Sequence, residues 1–256
     1  MMIAFFRRIR NKLLSTGQTQ KYLLYAIGEI SLVVVGILIA LQVNNWNEQI
    51  KTDTLENEYL QGLQDEFVMN LRMVERLMNQ NNINLKHALM VADLIGPDPI
   101  EIPEDSIALL LASSLQAELQ FRPSSGILTE IISSGKLSIF NNNDLKKSLA
   151  SWEGLLQKVR FQEDEEHGRI RKRIFNLLME QGNFRMLATA SLGDSFGFGP
   201  TRFKPNNFRL LSSQRFENEL IGFIATGRYL NDGYYADLKS EIEFILSIID
   251  LELKAN

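Results

Sequence analysis

The chain has 256 residues, 45% of them hydrophobic and 23% charged, with a net charge of −4 and no cysteine. That composition excludes a disordered chain, and the missing thiols exclude disulfides, thiolate metal sites and cysteine nucleophiles. The charge is divided: residues 1–47 hold five basic side chains against Glu29 alone, while residues 48–256 carry acids in excess, which makes nucleic acid a poor partner for the larger part.

Residues 1–20 form a basic segment. On a helical wheel Met2, Phe5, Phe6, Ile9 and Leu13 fall within about 100°, the pattern of a short amphipathic helix lying on a membrane surface. A basic tail without structure is the competing reading. Tyr22–Val43 follows as a run of 22 residues whose one carboxylate is Glu29. At about 1.5 Å per residue it is ~33 Å long as a helix, enough for a hydrocarbon core of ~30 Å. The run is longer than the apolar core of a signal peptide, and Ala40-Leu41-Gln42 lacks the second small residue of a cleavage site. The expectation is therefore an uncleaved anchor over residues 21–46.

Orientation follows from the flanks. Arg7, Arg8, Arg10, Lys12 and Lys21 precede the span, and only Lys51 occurs in the twenty residues after Val43. The positive-inside rule then places the N-terminus in the cytoplasm and residues 47–256 across the membrane, with Tyr22, Tyr25 and Trp46 at the two interfaces. Steps of three and four residues from Glu29 pass through Tyr22, Tyr25, Val33, Gly36, Ala40 and Val43, all within about 40° of one line. A carboxylate beside the small pair Gly36 and Ala40 marks Glu29, Val33, Gly36 and Ala40 as a face for a partner helix. The alternative is a plain anchor, with Glu29 reaching back to the headgroups.

Beyond the span, apolar residues recur at helical spacing through Leu55, Tyr59, Leu63, Phe67, Leu71, Val74, Met78, Leu85 and Leu89, up to the stop at Gly96-Pro97. No glycine pair or proline separates this helix from the span, so the two are expected to be continuous. Pro103 opens a second helix with Ile107, Leu110, Leu111 and Leu115, ended before Pro123. Ser124 is placed to cap a third, carrying Ile127, Leu128, Ile131 and Ile132, with Gly135 just past its end. Asn142 or Asn143 caps a long helix to about Gln181. A last one runs from Ser213 to Leu253, with Asp232-Gly233 as a point of kinking. Residues 183–207, rich in Gly and Phe, are expected as a packed loop or a small hairpin whose rings cap the bundle. The fold class is all-α: an N-terminal single transmembrane helix followed by an antiparallel helical bundle with long helices.

Two patterns carry candidate chemistry. Gly193-Asp194-Ser195-Phe196-Gly197 matches G-x-S-x-G, but His87 and His167 both precede Ser195 and no parallel-sheet pattern exists, so a serine hydrolase is not supported. Continuing the apolar stripe from Val159 lands on Glu163 and then on Glu166 or His167. An inward carboxylate and imidazole there, with His87 from another helix, would be the start of a metal site. Against that, a run such as Glu163–Glu166 is ordinarily a solvated face. No catalytic residues and no cofactor are assigned.

The run Ala26-Ile27-Gly28-Glu29-Ile30, then Gly36-Ile37-Leu38-Ile39-Ala40-Leu41-Gln42, then Asn44-Asn45-Trp46-Asn47-Glu48, resembles a family of single-pass proteins of unknown function from Gram-negative bacteria. Phe5-Phe6-Arg7-Arg8-Ile9-Arg10 belongs to the same resemblance, and Pro123-Ser124-Ser125, Ser134-Gly135-Lys136-Leu137 and Asn142-Asn143-Asp144-Leu145 continue it more loosely. The resemblance implies an inner-membrane anchor and a helical periplasmic domain, and it carries no catalytic residues. The functional expectation is a non-enzymatic scaffold or protein-interaction component, held in the lipid bilayer and meeting a protein partner or a second copy through the anchor and the bundle. A ligand- or metal-sensing domain that signals through the anchor is the alternative.

Overall fold

In the computed structural model the backbone is described for residues 19–193, 197 and 199–255, with side chains from Leu23 onward. The amphipathic segment with Arg7, Arg8, Arg10 and Lys12 lies outside the described residues, as do Ser195 and the side chains of Lys21 and Tyr22. Helix α1 covers Thr19–Ala92, 74 residues without interruption, as the absence of helix breakers requires. The chain divides into two compact units, residues 1–56 and 57–256.

In the second unit α1 is followed by α2 (Glu104–Ser114), α3 (Gly126–Ser133) and a 3₁₀ turn at Lys136–Ile139. Helix α4 (Asn143–Phe161) passes through a π-turn at Gln162–Gly168 into α5 (Arg169–Gln181). Helix α6 (Phe184–Leu192) and a 3₁₀ turn at Asn207–Ser212 lead to α7 (Gln214–Tyr229). A second π-turn, Leu230–Tyr235, joins α7 to α8 (Ala236–Ala255). Among the described residues there is no strand. The unit is a helical bundle in which α2 packs on α6, α4 on α8, and α5 on α7.

The apolar stripes read from the sequence form its core. Leu60, Leu63, Phe67 and Val74 of α1 are fully buried, as are Leu145 and Leu149 of α4 and Ile242 and Ile245 of α8. Phe67 meets Trp152 edge to face at 4.9 Å. Polar side chains then close the ends of the elements. Asn142 accepts from the Asp144 and Leu145 amides at the start of α4, and Ser213 accepts from Phe216 N at the start of α7. Glu104, in the first turn of α2, accepts from the Asn207 and Phe208 amides at 3.0 and 3.2 Å, which ties the second 3₁₀ turn to that helix.

Four local expectations need correction. Helix α2 ends before Pro123 as expected, but it stops at Ser114 and leaves Leu115 as its C-cap outside the helix. Helical spacing persists afterwards, since Leu115 and Leu119 are both buried, but the chain there is a turn and a bend followed by irregular backbone. Its backbone groups are held by side chains in place of helical bonds. Asn70 donates to Ser124 O at 2.9 Å and accepts from Ser124 N at 2.8 Å, and Phe121 N donates to Glu163. Second, Ser124 does not cap α3. Glu66 does so from α1, accepting from Ile127 N at 2.9 Å and Leu128 N at 3.3 Å. Third, the 183–207 connection contains helix α6, started by Asn183, whose side chain accepts from Met186 N. Fourth, the long helices at 142–181 and 213–253 each contain a π-turn, and the second of these covers Asp232-Gly233.

The Asn70 clamp has a measurable consequence. Asn70→Ala removes both bonds at Ser124 and strands a donor and an acceptor, with an expected loss of about 1–3 kcal/mol. Asn70→Asp retains the acceptor alone and should fall between. Denaturant unfolding of the full chain in detergent reads both, and equal stability of all three would mean that the clamp is replaced by water.

Candidate functional site: a buried polar seam between the two π-turns

The two π-turns lie against each other, and both turn polar groups inward. A π-turn holds one residue more per turn than an α-helix needs, so neighbouring positions share an inward face. At the first turn Gln162, Glu163 and His167 are buried, while Asp164, Glu165 and Glu166 are exposed. The solvated-face reading therefore holds for Asp164, Glu165 and Glu166 and fails for Glu163 and the neighbouring His167. The turn also depends on a close approach at Gly168, where a Cβ would sit 2.7 Å from the carbonyl oxygen of Glu163.

Glu163 Oε1 accepts from Tyr235 Oη at 2.7 Å and from Phe121 N at 2.8 Å. Burial pushes its carboxyl up to about 7 despite these two donors, which favour the charged form. The Tyr235 hydroxyl is itself raised, first by burial and then by the Glu163 charge beside it. His167 is only 2% exposed, with its ring 4.4 Å from that of Phe223. Thr226 donates its hydroxyl to Gly222 O at 2.9 Å, so His167 Nδ1, 3.1 Å away, is the donor of that pair. This tautomer leaves Nε2 as a buried lone pair without a donor. Burial first, and the Arg171 charge second, lower the imidazole to about 4.

An amide ladder continues the seam from α1. Asn81 Nδ2 donates to Gly227 O at 2.8 Å and to Asn231 Oδ1 at 2.9 Å. Asn231 Nδ2 donates in turn to Met78 O at 3.1 Å and Asn82 Oδ1 at 2.8 Å. Gly227 is required by crowding: a Cβ there would lie 2.7 Å from Leu85 Cδ2 and 3.2 Å from both Asn81 Oδ1 and His167 Cε1. The seam thus pins α1, α7 and both π-turns through polar contacts that are nearly all inside the protein.

The metal candidates do not assemble. His87 is half-buried with Nδ1 2.9 Å from Ile83 O of its own helix, and Glu166 faces solvent. Among the described residues no group of three or more His, Asp or Glu side chains is placed to hold a metal ion. Glu163 has a proton affinity suited to exchange near neutrality, but it is 4% exposed and already bonded to two donors, so a molecule arriving from solvent does not reach it. The geometry is that of a structural lock.

In the first unit the side chains marked by the sequence are displayed outward. Glu29, Val33, Gly36 and Ala40 are all exposed, and a Cβ at Gly36 would meet nothing within 4 Å. Trp46 is exposed as well, and Tyr25 is half-buried.

A family model described as a family of unknown function, DUF6090, matches residues 29–187. The chain belongs to that family. The DUF6090 match begins at Glu29 inside the apolar part of α1 and ends at Leu187 in α6. It takes in Glu66 and Asn70 together with their partners Ile127, Leu128 and Ser124. It also takes in Asn81, Glu163 and His167 but stops before Asn231, Tyr235 and Thr226, to which these three are bonded. Comparison with curated proteins and with solved structures returns no match.

Asn70 of α1, which clamps Ser124, was not singled out from the sequence, although a signal was available. Asn70 stands between Phe67 and Val74 at the spacing of the apolar stripe, where a polar residue has to be either buried and bonded or a fault in the stripe.

Proposed function

We infer that the protein is a single-span inner-membrane protein whose helical domain, residues 47–256, stands on the periplasmic side and engages a protein partner. The observation that carries this reading is the uncovered apolar surface of α1. None of its most apolar stretch is buried, and Leu24, Ile30 and Leu32 are 68%, 64% and 76% exposed. A core helix of a water-soluble domain would be largely covered. A contiguous surface of this kind in water is rare and calls for lipid or another apolar medium. Five basic residues before the span favour a cytoplasmic N-terminus. The outward display of Glu29, Gly36 and Ala40 supports a contact with a second helix in the bilayer, where small residues allow close approach.

The absence of cysteine makes the test clean. In spheroplasts an impermeant maleimide should label Ser212→Cys directly and Asn11→Cys only after lysis. The reverse pattern overturns the orientation, and recovery of the chain in the soluble fraction overturns the anchor. Photo-crosslinkers at positions 29, 36 and 40 should then capture a polypeptide. Capture of lipid alone, together with no capture from the bundle surface, removes the partner.

A further inference from the structure

A cavity of about 510 Å³ lies between α2, α5 and α6, within the range of small-molecule sites. Its wall is mostly apolar, from Leu111, Leu115, Phe175, Phe184 and Leu187, and two arginines interrupt it, Arg171 and Arg185. Arg171 is fixed in place. Its guanidinium lies 4.7 Å from the Phe175 ring centroid, and Nη2 donates to Leu115 O at 3.0 Å. Phe175 packs in turn on Phe184, with centroids 6.1 Å apart. The Arg171 Nε–H is buried and has no acceptor among the described residues. Such a donor is costly unless an acceptor is supplied, and the one that suits a guanidinium edge is an oxyanion. Arg185 is exposed and reaches Gly199 O and Pro200 O at 3.4 and 3.5 Å.

We propose that this cavity binds a single-chain fatty acid, with its carboxylate on Arg171 and its hydrocarbon chain between Phe175, Phe184 and the leucines of α2 and α6. The charge around the cavity selects a monoanion. Glu118 acts on Arg171 and offsets part of the positive charge that Arg171 and Arg185 bring to the wall. A dianionic phosphate head would be left under-compensated in an apolar wall. A dicationic ligand finds no complement there, since no acid among the described residues lines the cavity. The inference goes beyond the anchoring reading and does not rest on it, because the cavity lies wholly in the unit of residues 57–256.

The test uses the full chain in phosphatidylcholine nanodiscs and a sixteen-carbon fatty acid carrying a diazirine in its chain. Mass spectrometry should place the label on peptides of α2, α5 and α6, and unlabelled fatty acid should compete it away. The corresponding alcohol should label those peptides about tenfold less, as expected for loss of one charged hydrogen bond. Arg171→Gln should reduce acid labelling by a similar factor. Ala188→Phe should abolish it by filling the cavity with Arg171 in place. Equal labelling by acid and alcohol, label confined to peptides of Tyr22–Val43, or stronger competition by lysophosphatidate than by fatty acid would each overturn the assignment. The comparison of acid with alcohol needs no variant, so a misfolded Arg171→Gln does not rescue the proposal. Maleimide topology and photolabelling fail independently of one another.

Discussion

Glu163→Gln and His167→Gln should tilt the pH dependence of stability in opposite directions. Glu163 is raised in the folded protein from 4.5 to about 7, so its favourable contribution is complete below 4.5 and is lost as pH rises through about 7. His167 is lowered from 6.5 to about 4, so its contribution is present above 6.5 and is lost as pH falls toward 4. Between 4.5 and 6.5 the unfolded chain carries a proton on the imidazole and the folded chain carries one on the carboxyl. The number bound is the same, and the pair adds almost no slope. Folding moves a proton from one buried residue to the other.

Removing either member exposes the other. Glu163→Gln leaves His167, and the variant should lose on the order of 3 kcal/mol relative to wild type as pH falls from 6.5 to 4. His167→Gln leaves Glu163, and a loss of the same order should appear as pH rises from 4.5 to 7. The double variant should be flat again. Urea unfolding at half-unit pH intervals measures all four proteins, and slopes of the same sign in the two single variants would refute the proton exchange.

Alanine at three helical glycines should give two opposite signs. Gly154 in α4 is exposed, and its Cβ would meet nothing within 4 Å, so Gly154→Ala should stabilise by about 1 kcal/mol through helix propensity. Gly222 in α7 has ordinary contact with Ile170 at 3.4 Å and should behave alike. Gly227, five positions further along α7, faces Leu85, Asn81 and His167. The methyl of Gly227→Ala would press on the amide ladder, because Gly227 O is also the acceptor for Asn81. Leu85 Cδ2 is able to swing aside, whereas the bonded Asn81 is held. Overpacking should then exceed the propensity gain, for a net loss of about 1–3 kcal/mol. Thermal unfolding of the three variants decides it, and stabilisation by Gly227→Ala would show that the seam yields.

Most of the helices were legible because their burial follows a 3.6-residue period. Phe67, Leu145, Leu149, Ile242 and Ile245 are where that period puts them. Asn142 was one of the two residues offered as a cap and is the one that caps, and Ser213, read as the start of the last helix, caps it. The misses share a cause: period reports burial, and burial does not identify the backbone. Leu115 and Leu119 are buried at helical spacing on a chain that is not helical there. The π-turn at Gln162–Gly168 is invisible because one extra residue per turn shifts the phase by less than the width of an apolar stripe. The inward phase of Glu163 and His167 was readable. Their partners were not, since Phe121 offers a backbone amide, and Tyr235 and Thr226 come from elements far along the chain.

The bonds that finish the seam join distant parts of the polypeptide. Asn81 reaches Gly227 and Asn231 across 146 and 150 residues, and Gln64 meets Asp250 across 186. As the chain emerges from the ribosome, the face of α1 with Leu60, Leu63, Phe67 and Val74 is made early, and α8, which supplies part of the opposing core, is made last. Loop closure over such separations is slow, and the unfinished face is open to aggregation in the meantime. A newly made copy therefore passes through a vulnerable interval in which α1 is complete and α8 is still to come.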